Sequence, residues 1–160
     1  MIRFILLAAV VSALSACGFR PLYAGADFNG VVEGQNITIA EIPGRSGYTL
    51  RRSLIESLTT GLPGLDEPAF LTVTVDEQLT RAALQRDGAV SRSFLNATGT
   101  YVLETESGAI TGDAAVQIPY AATNTPYTDV SAQIDASERA MSELARRITD
   151  NLRIQVQQMQ

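Results

Sequence analysis

The sequence predicts an α+β fold: a two-layer sandwich of a mostly antiparallel four-stranded sheet and two helices, in the order β-α-β-β-β-α. Three observations carry that expectation. Apolar and polar residues alternate in four separate segments, as in half-buried strands. Two other segments place their apolar residues at helical spacing. Turn-forming pairs separate these segments, at Pro43-Gly44, Pro63-Gly64, Asp87-Gly88 and Ser107-Gly108. A sheet with one apolar face and helices with one apolar stripe bury both by packing as layers.

The first strand is expected over Asn36–Ile42, where Ile37, Ile39 and Ile42 recur among polar or small residues. The cluster Pro43-Gly44-Arg45-Ser46-Gly47 reads as a turn. From Tyr48 the period lengthens: Leu50, Leu54, Ile55, Leu58 and Leu62 share one helical face, and Arg51, Arg52 and Glu56 are left for water. Gly61 and Pro63-Gly64 stop this helix. Period two returns at Phe70–Asp76, with Leu71, Val73 and Val75 on one side and Thr72, Thr74 and Asp76 on the other, and runs on through Leu79 toward Leu84. Asp87-Gly88 offers a hairpin turn. A third strand fits Ser91–Glu106, with Leu95, Ala97, Tyr101 and Leu103 on one face, and a fourth fits Ile110–Tyr120. The polar stretch Ala121–Asp129, with Pro126, reads as a loop. The closing helix has Ile134, Met141, Leu144, Ala145, Ile148 and Leu152 on one face, with Asp135–Arg139 and Glu143–Arg147 as i,i+4 pairs.

The segment ahead of this domain has a different character. Met1-Ile2-Arg3 supplies one positive charge, and Phe4 to Leu14 is apolar except for Ser12. This run matches a signal-peptide h-region and falls short of the roughly 20 apolar residues that span a bilayer as a helix. Cys17, the single cysteine of the chain, comes directly after Leu14-Ser15-Ala16. That arrangement resembles the bacterial lipobox, in which the thiol is joined to diacylglycerol, the chain is cut before the cysteine, and the new amine is acylated. The alternative is an ordinary secretory signal with an incidental cysteine near the cut. Residues 1–16 are thus expected to be a lipoprotein signal peptide, 17–35 a lipidated tether and 36–160 one α+β domain. Each buried chain CH₂ contributes about 0.8 kcal/mol, so several acyl chains anchor far more firmly than one.

Composition narrows the function classes. A hydrophobic content of 46% argues for a folded core and against wholesale disorder. A net charge of −5 leaves no basic surplus to neutralise phosphates, which argues against nucleic-acid binding. The twelve basic residues are all arginine, through coding bias or through a use for its planar fork. With no histidine, and the cysteine consumed by lipid, the commonest general base, thiol nucleophile and metal ligand are missing. Asp76-Glu77 points to opposite faces of a strand and makes a poor acid–base pair; Asp66-Glu67 beside Pro68 reads as a solvated loop. No Gly-x-Ser-x-Gly occurs. The expectation is a protein that is not an enzyme and carries no cofactor. One basic cluster remains: Arg81, Arg86 and Arg92 flank the Asp87-Gly88 turn. Such a cluster either binds phosphate through bidentate hydrogen bonds or guards the hairpin against edge pairing.

The segment Cys17-Gly18-Phe19-Arg20-Pro21-Leu22-Tyr23 directly after the lipobox resembles the mature N-terminus of the LptE family of LPS-assembly lipoproteins. The element order and the closing helix, with Ala140-Met141-Ser142-Glu143-Leu144-Ala145-Arg146-Arg147-Ile148, are also similar to that family. The resemblance implies an outer-membrane lipoprotein that plugs the lumen of an LptD-like β-barrel, supports its assembly, and assists insertion of lipopolysaccharide into the outer leaflet. Gly18 is compatible with outer-membrane sorting. The arginines Arg81, Arg86 and Arg92 would then be contacts for lipopolysaccharide phosphates. Two other readings stay open: a lipid-anchored periplasmic adaptor such as a pilotin for a secretin, and a lipid-anchored hydrolase using carboxylates.

Overall fold

Alternation along the chain becomes a sheet with one face covered and one open. The computed structural model describes residues 36–81, 92–121 and 125–158. The signal segment, Cys17, the tether, Arg86 and the Asp87-Gly88 turn lie outside the described residues. The elements are β1 (Ile37–Ile39), α1 (Gly44–Ser57), β2 (Ala69–Arg81), β3 (Arg92–Thr105), β4 (Gly108–Ala121) and α2 (Pro126–Gln158). The fold is α+β, in the expected order.

The strands lie side by side in sequence order, β1-β2-β3-β4. β1 pairs parallel with β2, and the other pairs are antiparallel, so the sheet is mixed. The parallel pair is pinned at both ends: the Ala69 N–H donates to the Asn36 carbonyl at 2.6 Å, and the Ala40 N–H to the Leu71 carbonyl at 2.9 Å. On the covered face the register builds apolar rungs, Leu71–Leu103–Ile110, Val73–Tyr101–Gly112 and Val75–Gly99–Ala114. Leu71, Tyr101 and Leu103 are fully buried there.

Helix α2 lies across this face, with Met141, Leu144, Ile148 and Leu152 fully buried, and α1 brings Leu50 and Leu54 into the same core, joined by Leu58 just past its end. Burying one such side chain contributes about 1.5–3 kcal/mol, so these stripes dominate what holds the layers together. Close approach depends on Gly99, where an added Cβ would stand 3.1 Å from Leu144 Cδ2 and 3.2 Å from Ile148 Cδ1.

The helices depart from the sequence expectation at their ends. α1 starts at Gly44 and so takes in most of the cluster expected to be a turn. Pro43 is extended (φ −68°, ψ 153°), and Gly44 turns the chain at a positive φ of 85°. Gly47 has no Cβ because the Ile42 carbonyl oxygen would lie 2.5 Å from it. α1 ends at Ser57, ahead of Gly61, yet Leu58 and Leu62 remain buried in the turns beyond it. Arg51, expected in water, is half-buried; its Nε donates to the carbonyls of Ile39 and Ala40 at 3.3 and 3.2 Å. α2 begins at Pro126, inside the stretch Ala121–Asp129 expected to be a loop. Proline ends a helix from within but suits its first position, where the missing N–H has no partner to lose. The first turn also carries Asp129 at the positive end of the helix dipole.

Candidate functional site

The sheet leaves its second face open. Thr72, Thr74, Thr98, Thr100 and Thr111 stand exposed on it, and no described helix packs there. Amides run across three strands: Gln117 Nε2 donates to Asn96 Oδ1 at 2.8 Å, and Asn96 Nδ2 to Thr80 Oγ1 at 2.9 Å. Threonine stabilises a strand through its β-branch while offering a hydroxyl to whatever meets the face. The outer edge of β4 is partly capped. Arg147 Nη1 donates to the Ala115 carbonyl at 2.6 Å, Asn151 Nδ2 reaches the Asp113 carbonyl at 3.4 Å, and Pro119 has no N–H to offer. An edge treated in this way resists pairing with another strand.

The backbone brings Arg81 and Arg92 to one end of the β2–β3 hairpin. Arg81 closes β2 opposite Ser93, and Arg92 opens β3 opposite Ala121, next to Ser93 in the chain. Arg86 and Cys17 lie outside the described residues. At this same end two hydroxyls of the covered face, Ser93 Oγ and Tyr120 OH, are buried without a hydrogen-bond partner among the described residues.

A polar centre that the sequence did not reveal lies one layer inward. Glu77 stands on the covered face of β2, in register with Ala97 and in line with Val73, Val75 and Leu79. Its carboxylate ties both helices to the sheet: Ser46 of α1 donates to Oε2 and Ser137 of α2 to Oε1, each at 2.7 Å. Beside it opens a cleft of about 230 Å³, lined by Glu77, Leu79, Leu95, Ile134, Gln133, Ser137 and Arg45. Arg45 does not pair with Glu77; its Nη2 sits 3.3 Å from Glu138 Oε1. Among the described residues no cation is within ion-pair distance of Glu77. The strand period alone placed Glu77 inward. Its serine partners stand 31 and 60 residues away, beyond the reach of local patterning.

Other carboxylates have local partners. Hydrogen bonds from Ser107 and then Thr105 hold the Glu67 carboxyl below its ordinary value, against a small opposing effect of burial. Arg146 holds Glu143 low in the same way, opposed by slight burial and helped by Arg147, while Glu143 raises Arg146. Burial pushes the Tyr101 phenol up, against hydrogen bonds from Asn151 and Gln155. Among the described residues no group of three His, Cys, Asp or Glu side chains is placed to hold a metal, and no helix is long and apolar enough to cross a membrane.

No family model matches the chain, and no curated protein matches it. Solved structures do. A candidate lipoprotein from Caulobacter crescentus CB15 is 26% identical with a TM-score of 0.58, over 76% of this chain and 90% of that one. Rare lipoprotein B from Shewanella oneidensis is 13% identical with a TM-score of 0.54, over 72% of this chain and 93% of that one. A minor lipoprotein from Acinetobacter baumannii is 20% identical with a TM-score of 0.49, over 78% of this chain and 96% of that one. The fold is therefore one that solved bacterial lipoproteins adopt.

Proposed function

We propose that the protein is a lipid-anchored lipoprotein of the outer membrane that plugs and supports assembly of an LptD-like β-barrel and assists lipopolysaccharide insertion into the outer leaflet. One conjunction carries the reading. The sequence Cys17-Gly18-Phe19-Arg20-Pro21-Leu22-Tyr23 comes directly after a lipobox, on a chain whose fold is similar to that of the Caulobacter protein over most of both lengths. The open sheet face supports it. The lumen of a membrane barrel is polar, and the threonine, asparagine and glutamine side chains of this face can meet such a wall with hydrogen bonds.

In this reading Cys17 holds the acyl chains, and the chain works by complementarity of shape and hydrogen bonds, without catalysis or cofactor. Arg81, Arg86 and Arg92 are the proposed contacts for lipopolysaccharide phosphates, because a guanidinium takes two phosphate oxygens at once. Arg81 ends β2 and Arg92 begins β3, at one end of the hairpin.

Purification through a C-terminal tag in mild detergent, with mass spectrometry of what is retained, tests the reading. An LptD-like barrel recovered in equal amount supports it. An intact lipoprotein recovered with a secretin, or alone, overturns it.

A further inference from the structure

We infer that the cleft beside Glu77 receives an arginine side chain of a partner polypeptide. The inference rests on the cleft itself and not on the barrel assignment. A failed barrel co-purification leaves it standing.

The carboxylate is half-buried and has no cation partner among the described residues, which is unusual for a charge on the covered side of a sheet. Ser46 and Ser137 fix its orientation, one hydroxyl on each oxygen. An ionised carboxylate offers about four acceptor positions, so a further one on each oxygen remains for a bidentate guanidinium. The cleft walls Leu79, Leu95 and Ile134 are apolar and suit the methylene stem that arginine lays along such surfaces. At about 230 Å³ the space suits one side chain and is smaller than a typical small-molecule pocket. Arg45 at the mouth is already engaged with Glu138, which limits its repulsion of an incoming cation.

Exposed apolar side chains continue from the cleft wall, on Leu79 of β2 and along α2 from Ile134 toward its start. Leu79 is 50% exposed, Val130 54% and Tyr127 85%. Tyr127, Val130 and Ile134 recur at helical spacing, so the stripe that enters the core farther along α2 continues outward past the cleft. Arginine is among the residues that most often anchor a protein interface when they enter a pocket on the partner. The occupant is therefore an arginine flanked by apolar residues.

The test monitors the methyl resonances of Leu79, Leu95 and Ile134 in the full lipidated chain, held in a neutral maltoside detergent. The probes are n-butylguanidinium, its neutral counterpart n-butylurea, and a blocked Leu-Arg-Leu peptide. Expected are saturable shifts with n-butylguanidinium at millimolar concentration, none with n-butylurea, and binding of the peptide about tenfold tighter than of n-butylguanidinium. Glu77→Gln should weaken peptide binding by about tenfold or more. Leu79→Ser is the second variant, since a half-exposed side chain can be trimmed without emptying the core; it should weaken the peptide while leaving the spectrum otherwise native. Absence of saturable shifts, equal response to n-butylurea, or binding unchanged in both variants overturns the inference. A peptide no tighter than n-butylguanidinium removes the partner polypeptide from it.

Discussion

Tyr101 of β3 and Gly112 of β4 are register partners, and the Tyr101 phenol occupies the space that a Gly112 side chain would need. Tyr101 is fully buried, with its hydroxyl within 3.4 Å of Gln155 Nε2 of α2. One glycine on the edge strand thus leaves room for an aromatic side chain between sheet and helix. Gly112→Ala should cost about 1–3 kcal/mol, as overpacking does. The midpoint of urea unfolding reads this directly, and a variant as stable as the parent would contradict the ring position.

Gly99 and Leu144 give a second packing prediction, with a sign that depends on context. Leu144→Ala alone should cost about 2–5 kcal/mol through the cavity it leaves. Gly99→Ala alone should also destabilise, because its methyl meets Leu144 and Ile148. In the Leu144→Ala background the same methyl enters the vacated space. The double-mutant cycle should therefore show a favourable coupling of about 0.5–3 kcal/mol. Simple additivity would mean that the two residues do not meet.

Arg51 fastens α1 to the end of β1 through two carbonyls. Arg51→Ala should cost about 1–3 kcal/mol, since the half-buried acceptors lose a charged donor. Hydrogen exchange at the Ala40 and Ala69 amides should accelerate more than exchange in β3, because the loss is local to the parallel pair.

Glu143 predicts an acid limb of stability. Its folded value lies below the ordinary one of 4.5, chiefly through Arg146. A depressed carboxyl stabilises the fold above its unfolded value, and the contribution fades as pH falls through the lowered folded value. Glu143→Gln should be slightly less stable than the parent at neutral pH, in the range of exposed pairs, and equal to it once the carboxyl is protonated in both folded and unfolded chains. Thermal unfolding measured from pH 7 down through the carboxylate range checks this; a gap that widens toward acid would reverse the assignment.

Cys17→Ser should abolish incorporation of labelled palmitate and release the protein from the membrane fraction. Retention of label in that variant would place the acyl chains elsewhere.

Alternation along β2 and β3 is enough to assign faces, since Leu71, Val73, Leu95, Ala97, Tyr101 and Leu103 are all buried as their parity requires. The same parity puts Glu77 inward and Asp76 outward. Long-range consequences are not legible. Ser46 and Ser137 meet Glu77 only because two helices converge on one strand, and a serine carries no local mark of that role. The parallel pairing of β1 is set by the path of α1, which three residues of strand cannot encode. Pro126 reads as a loop residue from sequence because proline signals a helix start as well as a break, and the residues after it decide between them. Arg51 has a polar head and a long stem, so its place on a helical wheel says little about which carbonyls it finds.

The sequential strand order has a consequence for how the protein is made. Each strand pairs with a neighbour in the chain, so every strand of the sheet is synthesised before α2. Until then Leu71, Tyr101, Leu103 and Val116 have no cover along the α2 side, and an apolar face waits beside a folded edge. A chain in that condition is the aggregation-prone species of its own biogenesis. Arg147 and Asn151, which shield the β4 edge, arrive with the same helix that closes the core. Completion of α2 therefore ends both exposures in one step.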